Sequence, residues 1–355
     1  MAALNFIKQN VRGMRAYSLA PHRARIKLNQ NENPWDAPEE IRTETLRRLE
    51  KRLWSRYPHF VAQDLHERLA GFTGWMAEGI LSGNGSNELI QALLMVSIEP
   101  GKRVLISEPT FALYRQITVV LGGEVISAPL TDNLTYDISL LTKQIQAAAP
   151  DVTIICSPNN PTGCVIEQAD LESILKVSDG LVVIDEAYHE FSGQTVVPLL
   201  RQYSNLVVLR TFSKAMAMAA LRVGYLLAAP ELVSEIRKAI LPYNLNTISQ
   251  TAAEVAIELY ESRVQPLVDT IIKERDLLHS QLARIPGLTP VPSQANFILV
   301  RSAIEPRTVF AELLRRDILV RDVSGYPMLK AYFRVSIGKA DENELLLSAL
   351  RDIFK

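Results

Sequence analysis

Apolar and polar positions follow two different rhythms along this chain, and the change between them marks its organisation. From about residue 81 to 230, short apolar runs are bounded by Gly, Pro, Asn or Asp. Several are rich in Val and Ile. The pattern predicts strands at Arg103–Ser107, Glu124–Ala128, Val152–Cys156, Leu181–Asp185, Leu206–Thr211 and Val223–Ala228. Helical periodicity fills the gaps, as in Phe111–Leu121, Leu140–Ala149 and Glu167–Ser178. Strands that alternate with helices predict an α/β fold, with a mostly parallel sheet covered by helices on both faces.

After Pro242 the rhythm changes. A long helical stretch is expected from Thr247 to Leu282, bent at Pro266. Strand Asn296–Val300, helix Thr308–Arg316, strand Tyr332–Ile337 and helix Asp341–Phe354 follow, as a smaller α+β unit. The first 30 or so residues are too short to fold alone and are expected to pack onto it. The expected division is a large domain of residues 35–245 and a small one of residues 1–34 and 246–355.

Composition narrows the class. The 355 residues are 48% hydrophobic and 22% charged, with a formal net charge of -1. No basic block invites nucleic acid or an anionic membrane. No apolar run reaches the length of a membrane span, and Met1–Arg15 lacks a signal-peptide core. Cys156 and Cys164 form no C-x-x-C pair, so neither a disulfide framework nor a metal is expected. A reducing cytoplasm is the simplest setting.

Candidate chemistry collects at strand ends. Asn160 follows the strand ending at Cys156, Asp185 closes its own strand, and Lys214 follows the strand ending at Thr211. Open α/β sheets bind ligands at the carboxyl ends of their strands. Gly83-Asn84-Gly85-Ser86 opens a predicted helix, whose first N–H groups suit an anion. It reads either as a phosphate cradle or as a Gly-rich turn capped by Ser86. It is no dinucleotide fingerprint, because Glu88 stands where the third Gly would be.

Asp185 shares a face with Val183 and needs a hydrogen bond or a cationic partner. A protonated pyridine nitrogen is one such partner; an arginine or a helix start is the alternative. Lys214 lies in an apolar setting near Arg222. A desolvated amine there makes a nucleophile able to form a Schiff base, and once released it makes a general base. The two prolines of Pro158-Asn159-Asn160-Pro161 form a rigid turn, structural in itself or presenting an Asn amide to a cofactor oxygen.

Together these residues resemble the fold-type I pyridoxal 5'-phosphate (PLP) enzymes, in the aminotransferase group, and most closely the histidinol-phosphate aminotransferase family. The resembling segments run in order over nearly the whole chain. They include Asn29–Pro34, Arg56-Tyr57-Pro58, Pro109-Thr110-Phe111, Asn159–Gly163, Asp185–Tyr188, Thr211–Lys214, Leu221–Tyr225, Ala295-Asn296-Phe297 and Phe333-Arg334-Val335.

The resemblance implies the PLP-dependent transferase fold, with Lys214 as Schiff-base lysine and Asp185 paired with the pyridinium nitrogen. Asn160 and Tyr188 would bind the phenolic oxygen, and Phe111 would stack on the ring. Ser86, Asn87, Ser213 and Arg222 would bind the phosphate, joined by Tyr57 from the other subunit of a homodimer with shared sites. Arg321, Arg334 and Tyr17, with Tyr57 and Asn160, would bind substrate. The implied reaction converts histidinol phosphate and 2-oxoglutarate to imidazole-acetol phosphate and glutamate. Rival outcomes are a threonine-phosphate decarboxylase or an aromatic or broad-range aminotransferase. A non-catalytic PLP-binding regulator is a rival of another class.

Three positions depart from the family pattern. Asn87 stands where Asp is common, and Phe111 replaces a Tyr. The run Ala215–Ala220 replaces one that usually carries two glycines, so this loop is expected to be stiffer and to alter the substrate fit.

Overall fold

A computed structural model describes residues 2–16 and 21–355, so Tyr17 lies outside the described residues. Seven strands form the central sheet: β1 (Ile80–Asn84), β2 (Arg103–Glu108), β3 (Glu124–Pro129), β4 (Val152–Cys156), β5 (Leu181–Asp185), β6 (Leu206–Thr211) and β7 (Val223–Leu227). Their spatial order is β1-β7-β6-β5-β4-β2-β3. Neighbours from β6 to β3 pair in parallel, whereas β7 runs antiparallel to both β6 and β1.

This topology gathers the site. The carboxyl ends of β4, β5 and β6 lie at one edge of the sheet. Because β7 is reversed, its first residue arrives at that edge, and so does the last residue of β1. Asn84 is paired with Val223, and Gly83 with Gly224. Strand β1 was not among the expected strands. Its closing residues Gly83 and Asn84 belong to the Gly-rich segment read as a loop, and they hide an edge strand whose first residues are buried.

Side-chain alternation divides the core between the two faces of the sheet. On one face Val183, Val207 and Leu209 meet Leu89, Leu93 and Tyr114 from helices Ser86–Ser97 and Leu113–Leu121. On the other, Val182, Ile184 and Val208 meet Leu141, Leu171 and Ala253 from helices Ile138–Ala148, Gln168–Val177 and Thr247–Glu258. The inner strands are buried on both faces, which is why they read as unbroken apolar runs.

The stretch after Pro242 forms two helices instead of one bent helix. Thr247–Glu258 gives way to a wider π turn at Tyr260–Val264 before Gln265–Leu282. Pro266 sits in the first turn of the second helix, where its missing N–H costs nothing. The second helix lies on a small antiparallel sheet with strands β8 (Leu288–Pro290), β9 (Phe297–Ser302), β10 (Arg321–Asp322) and β11 (Tyr332–Ser336), in the order β10-β11-β9-β8. Helices Pro306–Arg315 and Ala340–Ile353 complete this unit.

The N-terminal segment divides its contacts. Ile26–Lys27 pairs in parallel with Ile318–Leu319 of the small unit. Lys8 and Asn10 instead donate to Val120 and Val119 at the end of a helix on the large sheet.

Candidate active site

A cavity of about 300 Å³ opens where the carboxyl edge of the large sheet faces the small unit. Ser86, Asn87, Phe111, Asn160, Asp185, Tyr188, Ser213, Lys214, Arg222, Arg321 and Arg334 all line it, brought together from seven stretches of chain. Tyr57 does not. It is 80% exposed and stacks on Tyr243, with ring centroids 4.5 Å apart.

The anion end is built from backbone and glycine. Gly85 has φ 76° and precedes helix Ser86–Ser97, whose first N–H groups have no partner within the helix. A Cβ on Gly85 would lie 2.3 Å from the Arg222 guanidinium, and one on Gly224 would lie 2.4 Å from the Ser86 nitrogen. Only glycine lets the arginine, the helix start and the sheet approach this closely. Arg222 takes a left-handed φ of 54° and donates to the Ser213 hydroxyl at 3.1 Å and the Ala219 carbonyl at 3.0 Å. Backbone N–H groups, two serine hydroxyls and a guanidinium thus converge on one spot suited to a phosphate.

Asp185 closes β5 on the helix-covered face shared with Val183. It is 3% exposed. Tyr114 Oη donates to its Oδ2 at 2.6 Å, and the Ala187 N–H donates to Oδ1 at 3.0 Å. Burial pushes its pKa up, against the pull of Tyr114 and Ala187. Both donors are neutral, so a cation entering the cavity would complete its surroundings.

Lys214 is the reactive amine. Its Nζ donates to the Gln30 carbonyl at 3.1 Å. Desolvation, then the positive charge of Arg334, lowers its pKa to about 8, with Arg222 adding to the effect. About a tenth of the amine is then neutral at pH 7, far more than for an ordinary lysine, and it is the neutral form that a nucleophilic or proton-moving lysine uses.

The opposite wall is a polar lattice. Tyr188 Oη accepts from Asn31 Nδ2 at 3.0 Å and Asn160 Nδ2 at 3.4 Å, which leaves its own proton free to donate. Arg334 donates to Asn160 Oδ1 and, at 2.9 Å, to the Asn29 carbonyl, with its guanidinium 5.1 Å above the Phe297 ring. The neighbouring Asn159 is fully buried and binds Thr110, Thr162 and the Pro109 carbonyl, so the turn is riveted while Asn160 faces the cavity. Register sets Arg321 directly opposite Arg334 on β10 and β11. Two like charges side by side are unfavourable by themselves, and an anion between them removes the conflict.

Several lining residues were not singled out in the sequence. Asn29, Gln30 and Asn31 form a strap, with Asn31 at φ 54° and bonded to Ser336 and Asn296. Their motif was visible, but its place near Lys214 depends on pairing across the whole chain. Tyr114 carried one available signal, its position one helical turn after Phe111. Tyr326 carried none. The loop expected to be stiff turns through Ala217 at φ 56°, a conformation that glycine adopts without strain.

Comparison with known proteins agrees over the full chain. Residues 23–350 match the family model for aminotransferase class I and II. A histidinol-phosphate aminotransferase from Chlorobium phaeovibrioides is 37% identical over 98% of this chain and 96% of its own. Another, from Thermoanaerobacter pseudethanolicus, is 35% identical over 98% of this chain and 99% of its own. The crystal structure of histidinol-phosphate aminotransferase from Sinorhizobium meliloti in complex with pyridoxal-5'-phosphate superimposes with a TM-score of 0.89 at 22% identity, covering 98% of this chain and 97% of that one.

Proposed function

The chain belongs to the aminotransferase class I and II family, and from that premise we propose that it uses PLP to transfer the amino group of histidinol phosphate to 2-oxoglutarate. The observation that carries the substrate reading is the Arg321–Arg334 pair at the cavity that also holds Lys214. Histidinol phosphate brings a phosphate and 2-oxoglutarate brings carboxylates, and planar guanidinium forks suit both. One pair of arginines therefore serves both halves of the reaction.

The residues fit the cofactor. Gly85 and Gly224 leave the space that a phosphate and its arginine need, and Asp185 is a buried acid without a cation among its hydrogen-bond partners. Ser86, Asn87, Ser213 and Arg222 would bind the phosphate. Asp185 would hold a proton on the ring nitrogen, Asn160 and Tyr188 would donate to the phenolic oxygen, and Phe111 would offer a stacking face. Bound PLP supplies an electron sink for negative charge at the substrate Cα. Lys214 would anchor the cofactor through its amine, and the same amine, once free, would act as the base that takes the proton from the substrate Cα.

Tyr57 of the partner subunit completes the phosphate site in a homodimer. The exposure of Tyr57 beside Leu53, Trp54 and Phe60, each more than half exposed, supports that reading. Tyr17 adds a substrate contact. No helix among the described residues is long and apolar enough to cross a membrane, and we place the enzyme in the cytoplasm.

The test is a panel of amine donors added to the purified holoenzyme. Histidinol phosphate alone should convert the cofactor absorbance in one turnover, and adding 2-oxoglutarate should release glutamate. Both signals should vanish in Lys214→Ala. Unchanged absorbance with histidinol phosphate, beside conversion by an aromatic amino acid, would reassign the substrate. Carbon dioxide from threonine phosphate would replace the reading with a decarboxylase.

A further inference from the structure

Tyr114 forms part of the cavity wall beside Asp185, in none of the roles above. It is completely buried, near the start of helix Leu113–Leu121, and its ring meets that of Phe111 edge-on at 5.6 Å. A phenol sealed in an apolar core must satisfy its hydroxyl. This one donates to Asp185 Oδ2, with the Ala187 N–H as the other donor to that carboxylate among the described residues. We propose that Tyr114 is a positioning residue for the cofactor ring: its hydroxyl keeps Asp185 an ionised acceptor facing the cavity, and so governs how firmly a proton stays on the ring nitrogen.

Resting on the PLP reading above, the inference follows from a competition for one proton. The ring nitrogen and the carboxylate can each hold it. Burial alone would move it onto Asp185, leaving a neutral acid beside a neutral, weakly electron-withdrawing ring. A hydrogen bond to the carboxylate favours its charged form and returns the proton to the nitrogen. A hydrogen bond to a charged group is worth about one to two pH units in such a contest.

The other groups around Asp185 do not set this balance. Cys156 on β4, Tyr136 and Tyr188 are pushed above their ordinary pKa by burial and stay neutral near pH 7. Glu186 is neutralised by Arg210. The Lys214 amine is engaged with the cofactor. Tyr114 thus remains as the side-chain donor on the carboxylate itself.

The experiment compares wild-type holoenzyme with Tyr114→Phe. Two readings are taken: the pH midpoint of the lysine-bound cofactor's absorbance, and the nitrogen NMR shift of cofactor labelled with nitrogen-15 in its ring. Loss of the donor should raise the midpoint by about one unit, because a less positive ring withdraws less from the imine. The ring shift should move toward that of an unprotonated pyridine. In an Asp185→Asn background the same change should move neither signal.

Fluorotyrosine placed at 114 keeps the shape and strengthens the donor, so its midpoint should shift the opposite way even if the Phe variant folds poorly. A Tyr114→Phe enzyme that binds PLP with an unchanged midpoint and ring shift overturns the proposal, as does a fluorotyrosine variant identical to wild type. Failure of wild type to take up PLP would remove the cofactor reading and this one together. A normal wild type beside an unchanged variant removes only this one.

Discussion

Asp185 and Glu186 are consecutive residues on one strand end, and they meet opposite fates. Glu186 points to the buried side of the sheet. Arg210 pairs with it at 2.9 Å, and Thr195 Oγ1 and the Val196 N–H donate to it at 3.0 and 2.6 Å. Burial opposes the charge on Arg210, but Tyr225 and Glu186 outweigh it and hold the guanidinium firmly protonated. Asp185 points to the cavity side and receives only neutral hydrogen bonds. The first acid is balanced within the protein. The second is left for a ligand to balance. The same contrast runs through the whole edge: Arg321 and Arg334 lie side by side, Lys214 is held partly neutral, and Ala217 and Arg222 take left-handed backbone. Opposing demands on charge meet on the cavity face, as expected of a site that gives up stability for function.

The largest effect should come from exchanging the two acids' fates. Asp185→Asn should cut turnover by about 10²–10³-fold, the scale of losing one preorganised electrostatic partner, while the melting temperature holds or rises. Glu186→Gln should do the reverse. Breaking one side of a buried pair costs about 3 kcal/mol, so it should melt several degrees earlier with its cofactor spectrum intact. Melting curves and turnover on both variants decide this, and equal stability losses would erase the distinction.

A smaller effect is expected from Lys214. With a pKa of about 8, its neutral fraction grows as pH rises through that value. The rate at which apo-protein takes up PLP should therefore climb between about pH 7 and 9 and then level off, instead of rising on toward the ordinary lysine range. Arg334→Gln should move the midpoint upward, by less than the full shift because desolvation is the first cause. Stopped-flow absorbance over pH would expose a midpoint near 10 as contradiction.

The smallest effect tests the strain. Ala217→Gly removes a left-handed alanine, worth about 1–2 kcal/mol, and loses about 0.5–1 kcal/mol to the freer unfolded chain. A net gain of about 0.5 kcal/mol should appear as a slight rise in denaturant midpoint. A loss would show that the loop is not strained.

Much of this edge was legible in the sequence because parallel strands put Asn160, Asp185 and Lys214 at their own carboxyl ends. Local order was enough to place each of them. The rest depended on partners distant in the chain. Strand β1 was concealed because Gly83 and Asn84 look like a turn until the reversed β7 pairs with them. Tyr114 looked like one more apolar position of a helix, and its hydroxyl acquires meaning only 71 residues away at Asp185. The pairing of Arg321 with Arg334 depends on a strand register that no local pattern fixes. The strap at Asn29–Asn31 reaches Arg334 and Ser336 across 305 residues.

The claim beneath all of this is that Lys214 carries the cofactor. Reducing the holoenzyme with borohydride, digesting it and mapping the fixed pyridoxyl group by mass spectrometry addresses that claim directly. The label should fall on the single peptide containing Lys214, with wild-type absorbance lost in the process. A label on another lysine, or a reduced protein bearing none, would contradict it.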